Sequence, residues 1–372
     1  MKPLNRKRLG ERIDALAAYD LSQNKVFGSA YAVWQNGVLL EKCYGVASPE
    51  SGIPVTNRSL FRLASMTKPI SAVAALILAE RGLISLDDEV GRFLPAFRDV
   101  PIIDAQGNRR EAKTAPTVRH LLTHTSGIGC FPEKLEKMTD RDRETLDASL
   151  AFYAESGLDF EPGSMETYSG RGAFDVLVKI IETVTGTDCL SFFRKEIFAP
   201  CGMTDTTFEP TPEQWERVVA MHGRQNGESI ISEMPSGCVF ESYPCTHYLG
   251  GAGLVSTLRD YARFAAMLLA EGKTEGGRIL RAETLALMRT PQVSGEIMPG
   301  KERWGLGVRV ITDAAHRRLP VGCFGWSGAY GSHFWVDPEN KLFAVLMKNS
   351  RVDGGSGNES ANLLEEAVRD SL

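Results

Sequence analysis

What these 372 residues lack narrows the field first. No Gly-x-Ser-x-Gly occurs, so the nucleophile elbow of the α/β hydrolases is excluded as a motif, and no glycine-rich dinucleotide fingerprint follows a strand-like run. Gly272-Lys273-Thr274 echoes a phosphate loop, but Met267 stands where the first glycine belongs. There is no Cys-x-x-Cys: seven cysteines, at 43, 130, 189, 201, 238, 245 and 323, are widely spaced and odd in number. They are expected to be reduced, mostly buried thiols and not a disulfide framework or a zinc site. His120 and His124 lie four apart without the glutamate of a metalloprotease helix, so packed histidines are expected there and no metal. The longest apolar stretch, near 70–79, is too short to span a bilayer. Met1 to Arg8 is basic, but Glu11, Arg12 and Asp14 interrupt the next residues before an apolar run can build, so a secretory signal is not expected and the cytoplasm is. A net charge of −5 leaves no basic field for nucleic acid.

What is present is ordinary for a soluble globular protein, with 43% hydrophobic and 24% charged residues and length enough for a large core. Leu9, Ile13, Leu16 and Ala17 have helical spacing within 8–21. Strand-like runs at 27–34 and 38–45 flank Asn36-Gly37, a hairpin signal because both turn residues tolerate positive φ. The run 61–64 leads into Ser65 and then into a long apolar helix over 67–81 closed by Gly82. From 85 to about 241 the pattern is helical with Pro- and Gly-bearing loops and little strand alternation; helices are predicted over 118–122, 143–154 and 173–184. Thr257 should cap a helix running to Leu269. Strands return at 304–311, 331–336 and 342–347, the last two joined by Asp337-Pro338-Glu339-Asn340, and 358–372 again reads as helix.

Strands at both ends and helices between imply an α+β fold: an antiparallel β-sheet flanked by helices with an inserted, mainly helical region. The expected division is a discontinuous α/β domain of 1–84 and 250–372 and a helical domain of 85–249.

Ser65-Met66-Thr67-Lys68 is an S-x-x-K tetrad. On a helix the two functional residues share a face, so a neutral Lys68 can take the Ser65 hydroxyl proton. A serine at a helix N-terminus also lies where backbone N–H groups stabilise an oxyanion. The tetrad alone is weak: Ser22 to Lys25 has the same spacing but precedes a strand-like run. An ordinary helix cap is the competing role for Ser65.

Further segments, in order, add to it. Phe61-Arg-Leu-Ala-Ser-Met-Thr-Lys68 resembles the active-site segment of the serine β-lactamase and penicillin-binding-protein superfamily. Leu121-Leu-Thr-His-Thr-Ser-Gly127 and Leu249-Gly-Gly-Ala-Gly-Leu-Val-Ser256 are similar to segments of its class C-like branch. The resemblance covers nearly the whole chain and implies a β-lactamase/transpeptidase-like fold with Ser65 as nucleophile. Tyr168 matches the tyrosine that works with the lysine as base and then acid, but Gly170 stands where the branch's Tyr-x-Asn has its asparagine. No Lys-Thr-Gly occurs either; Trp326-Ser327-Gly328 takes its place as the substrate-binding strand, an aromatic where the superfamily has a cation. This variant is similar to the β-lactamase-like carboxylesterases of family VIII. The backbone N–H groups of Ser65 and Ala329 match the oxyanion hole. His333, on a predicted strand near the site, is expected to make a structural hydrogen bond.

The resemblance thus implies a carboxylesterase with weak β-lactamase activity, working on a small ester or amide without metal or organic cofactor. No nucleic-acid or membrane partner is expected, and the oligomeric state is left open. The alternatives are a class C-like β-lactamase or D-Ala-D-Ala peptidase, for which Arg351 would replace the lost cation, and a non-catalytic binding protein, which Gly170 allows. Acyl transfer to an alcohol or amine in place of water stands beside hydrolysis.

Overall fold

The structure, a computed structural model, describes residues 2–104, 106–232, 247–316 and 318–372. Its frame is a seven-stranded antiparallel sheet drawn from both ends of the chain. In spatial order the strands are Glu302–Trp304, Arg309–Ile311, Phe324–Ser327, His333–Asp337, Leu342–Lys348, Gly28–Gln35 and Val38–Gly45. The N-terminal hairpin turns at Asn36 and Gly37, at φ 52° and 82°, as that dipeptide favours. It docks on the last strand with Ser29 opposite Lys348 and Gln35 opposite Leu342.

Strand alternation gives the sheet two different faces. On the outer face, Tyr31, Val33, Trp335, Leu342, Ala344 and Leu346 pack against the helices Arg6–Ser22 and Glu359–Arg369. On the inner face, Ala30, Ala32, Phe324, Trp326, Phe334 and Val345 join the main core with the helix Leu258–Leu269. Thr257 caps that helix, its side chain accepting from the Asp260 N–H.

The helix Thr67–Glu80 is the apolar centre of the molecule, buried from Thr67 to Leu78. Pro69 lies in its first turn, where the missing N–H would have had no helical acceptor. Truncating a fully buried residue such as Ile70 to alanine should cost about 2–5 kcal/mol. A short ribbon, Leu60–Arg62 paired with Val255–Thr257, leads into this helix. It sets the turn before Ser65 beside the 249–256 segment, with the Leu63 N–H donating to the Leu254 carbonyl at 2.9 Å.

Two expectations are corrected, and one dismissed motif stays dismissed. The run 304–311 is not one strand, because a turn over Gly305–Val308, with Gly307 at φ 73°, splits it in two. The middle of the chain does contain strands: His222–Gln225 and Glu228–Ile231 form a hairpin around Asn226-Gly227, at φ 51° and 85°. Lys273-Thr274 pairs with Gly277-Arg278 in a small hairpin instead of leading from a strand into a helix, so the phosphate-loop echo has no structural counterpart. Elsewhere the helices fall within a few residues of their expected limits, as at Thr67–Glu80, Val118–Leu122, Leu146–Glu155 and Gly172–Thr185. Cys43, Cys130, Cys189, Cys201 and Cys323 are free thiols, while Cys238 and Cys245 lie outside the described residues. Among the described residues no helix is long and apolar enough to cross a membrane.

Candidate active site

Ser65 sits in a 3₁₀ turn, Ala64–Met66, that runs directly into the helix Thr67–Glu80. Ala64 before it has φ 44°, a left-handed conformation that costs a non-glycine residue of order 1–3 kcal/mol. Ser65 itself is half-buried at the mouth of the helix. Its decoy behaves differently: Ser22 ends the first helix and its hydroxyl donates to the Tyr19 carbonyl, while Lys25 pairs with Glu359.

Lys68 is fully buried, yet its amine is well supplied with partners. Nζ lies 2.7 Å from the Gly170 carbonyl, 2.9 Å from the Gly251 carbonyl and 3.4 Å from Ser65 Oγ. The two carbonyls occupy two N–H groups and turn the third position of the nitrogen to the serine. As an ammonium Lys68 donates there; as a neutral amine it presents its lone pair. The same nitrogen lies 4.9 Å from the centroid of the Tyr168 ring and 5.3 Å from that of Phe174.

Tyr168 arrives from the segment preceding the helix Gly172–Thr185. Its hydroxyl accepts the Trp326 indole N–H at 3.2 Å. The indole thus occupies one acceptor position of the phenol oxygen. The Tyr168 ring packs among His124, Trp326 and Trp304, at centroid distances of 4.5, 5.4 and 6.0 Å. Trp304 in turn donates its N–H to Glu166 at 2.7 Å.

Across from Ser65, the loop after Phe324–Ser327 is folded on itself. The Gly328 N–H donates to the Ser332 carbonyl at 2.8 Å, and the Gly331 N–H to the Gly328 carbonyl at 3.0 Å. Glycine is required at 328, since a Cβ there would meet the Leu63 carbonyl oxygen at 2.3 Å. That close approach brings the loop to the turn that carries Ser65. Ala329, next in the chain, is exposed.

The residues of the Trp326-Ser327-Gly328 triplet do not act on one side. Trp326 faces the inner core, whereas alternation sends the Ser327 side chain to the outer face, where it bonds His333 Nδ1 at 2.8 Å. The Ser327 hydroxyl, of a residue expected in substrate binding, is thus engaged by His333 on the outer face. His333 makes the structural bonds expected of it, its Nε2 lying 3.1 Å from Glu365 Oε1. Gly170 contributes its carbonyl to Lys68, and a Cβ built on it meets nothing within 4 Å. The place of the superfamily's asparagine is thus open space. His120 and His124 take different partners: His120 Nδ1 accepts the Thr117 N–H in a helix cap, and His124 lies against Tyr168.

Sequence reasoning missed His124, Trp304, Phe174 and Gly251 as neighbours of Tyr168 and Lys68. His124 and Gly251 lie inside the two family-like segments, so those segments carried the signal; Trp304 and Phe174 are single aromatics in runs that read as core.

These features define a β-lactamase-fold serine hydrolase, and the family description "Beta-lactamase" matches residues 11–369. The chain belongs to that family. It is 31% identical to the esterase EstB of Burkholderia gladioli, over 95% of this chain and 94% of the relative. It is 30% identical to penicillin-binding protein 4 of Amycolatopsis lactamdurans, over 94% and 87%. Among solved structures, EstCE1, described as a hydrolase with promiscuous acyltransferase activity, superposes with a TM-score of 0.82 at 26% identity, covering 97% of this chain and 98% of its own. Simvastatin synthase (LovD) of Aspergillus terreus gives 0.80 at 21%, over 98% and 97%, a likeness of fold.

Proposed function

We propose that the protein is a carboxylesterase that cleaves its substrate through an acyl-enzyme on Ser65. Ser65 Oγ attacks the ester carbonyl while its proton passes to the Lys68–Tyr168 pair. The tetrahedral oxyanion is held by the N–H groups of Ser65 and Ala329. The pair returns the proton to the leaving alkoxide, and water, activated by the same pair, releases the acid. The two carbonyl acceptors hold the Lys68 nitrogen toward the serine.

The observation that carries the ester reading is the Trp326 indole on the Tyr168 oxygen. A lysine there would offer a carboxylate-bearing substrate a charge-assisted bond, the strong kind. An indole offers a neutral donor and an apolar wall, which suit an uncharged ester. The similarity to EstB supports the same choice. A second reading has one feature in its favour: the Arg351 guanidinium lies over the Tyr330 ring, 6.0 Å from its centroid and one residue from Ala329. A β-lactam or D-alanyl peptide would bring a carboxylate for it. Acyl transfer to an alcohol is the natural variant of the second half-reaction, and the resemblance to EstCE1 is its support.

The test is direct. A fluorophosphonate probe should add one label, on Ser65, and none to Ser65→Ala; an unlabelled folded protein would leave a binding role. p-Nitrophenyl butyrate should turn over faster than nitrocefin. The opposite order would favour the β-lactamase reading, and ester product in the presence of an added alcohol would mark transfer.

A further inference from the structure

We propose that His124 is the positioning residue of this site: its carbonyl and its imidazole hold the backbone on the two sides of Tyr168 and so fix the phenol toward Lys68 and Ser65. The inference rests on the reading of those three as the reacting groups. The Thr167 N–H donates to the His124 carbonyl at 3.0 Å, and the Ser169 N–H donates to His124 Nδ1 at 3.1 Å. The residue between those two anchors is Tyr168. The imidazole also packs on the phenol, with ring centroids 4.5 Å apart, and on Trp304 at 4.4 Å. One buried residue thus grips the tyrosine before it, after it and across its ring.

The backbone of His124 supports a dedicated role. Its φ is 57°, a left-handed conformation that a histidine keeps only where the surroundings impose it. An Nδ1 that accepts a main-chain N–H leaves the ring proton on Nε2. Complete burial and the neighbouring Lys68 both push the imidazole pKa well below its ordinary value, so the ring stays neutral. Nε2 itself is buried and has no hydrogen-bond partner among the described residues. The ring's one polar bond is therefore the bond to Ser169. A phenylalanine would fill the same space and stack as well, but it cannot accept that N–H.

That difference is measurable. His124→Phe should lower kcat on p-nitrophenyl butyrate about 10²-fold, the scale of a displacement near 1 Å, with KM changed less than about threefold. His124→Asn, whose amide oxygen can accept the same N–H and which tolerates left-handed backbone, should recover at least about tenfold of the loss. In a Tyr168→Phe background His124→Phe should add no further loss, because the group to be positioned is gone. A wild-type rate in His124→Phe, or an equal loss in both backgrounds, overturns the assignment. Nitrogen-15 NMR of histidine-labelled wild-type protein tests it without any variant. It should show a neutral Nε2–H tautomer for His124, and the Nδ1–H tautomer or the cation overturns it. Ser65→Ala separates the two levels. Turnover lost there with His124→Phe at the wild-type rate sinks the His124 role alone, whereas turnover retained in Ser65→Ala sinks the reading beneath it.

Discussion

Two hydrogen-bonded chains leave neighbouring residues of the strand Phe324–Ser327 in opposite directions. From Trp326 one bond runs inward to the Tyr168 hydroxyl, and the Tyr168 ring centroid lies 4.9 Å from the Lys68 amine that reaches Ser65 at 3.4 Å. From Ser327 the other runs outward through His333 to Glu365, which is also bonded by Arg318 at 2.8 Å and faced by Arg309 at 3.6 Å. By residue type the outer chain looks the more catalytic, since it has the serine, histidine and carboxylate order of a hydrolase relay. Ser327, His333 and Glu365 are, however, only 3%, 1% and 2% exposed. The inner chain is assembled from less familiar partners, but its serine is half-buried at a helix mouth and its amine is held by two carbonyls. On the proposed reading, access and orientation, more than residue type, separate chemistry from framework.

The sharpest way to break this comparison is to remove one serine from each chain. Ser65→Ala should cost a factor of about 10³ or more in kcat/KM, as loss of a nucleophile does. Ser327→Ala should leave turnover within about twofold, because its hydroxyl bonds only His333 on the far face. A large loss with Ser327→Ala, in protein that still melts normally, would mean that the outer chain reaches the reaction.

Trp326→Phe is a smaller and more selective probe. It keeps an aromatic ring at a site 9% exposed but deletes the N–H at 3.2 Å from the Tyr168 oxygen. The expected loss is about 10–10²-fold in kcat, comparable to the removal of one positioned donor. If kcat is unchanged and only KM rises, the indole is a substrate wall and does not act on the phenol.

Much of this frame was legible because its signals are local. Asn36-Gly37 requires positive φ and sits between two alternating runs, so the first hairpin follows from chemistry within a few residues. The apolar run after Ser65 reads as a helix for the same reason. The Asn226-Gly227 hairpin carries the identical turn signal, but its flanks, His222–Gln225 and Glu228–Ile231, lack the apolar alternation that makes such a turn readable. The break in 304–311 depends on the Gly305–Val308 turn, whose glycines look tolerable inside an otherwise apolar strand. In the site, the Ser65–Lys68 pair is a spacing on one helix, whereas His124 meets Tyr168 from 44 residues away by sequence. No periodicity encodes that contact. The opposite facing of Trp326 and Ser327 was derivable from alternation alone, once the triplet is treated as strand and not as a motif.

The mildest perturbation acts on the outer chain and should touch stability, not turnover. Burial would raise the Glu365 carboxyl pKa, but the His333 N–H, the Arg309 charge and the Arg318 bond together bring it down to about 2. An unfolded glutamate titrates near about 4.3. Between those values the folded state binds fewer protons than the unfolded one, so this group's stabilisation is complete above the upper value and disappears as pH falls through the lower. Asp353, bonded to Lys348 and Ser360 on the same face, is likewise held at about 2 and drains in the same window. Glu365→Gln should therefore flatten the loss of stability between about pH 4.5 and 2 by up to about 1.4 kcal/mol per pH unit, one proton's worth. Denaturant midpoints at pH 3 and pH 7 measure it. Glu365→Ala, which removes the acceptor of His333 and Arg318 while Arg309 keeps its pair with Glu302, should cost about 1–3 kcal/mol at pH 7 while kcat at a permissive temperature stays within about twofold. A collapse of kcat in a folded Glu365→Gln protein would show that the two faces of the strand are coupled after all, through the 2.8 Å bond that sets the backbone between Trp326 and Gly328.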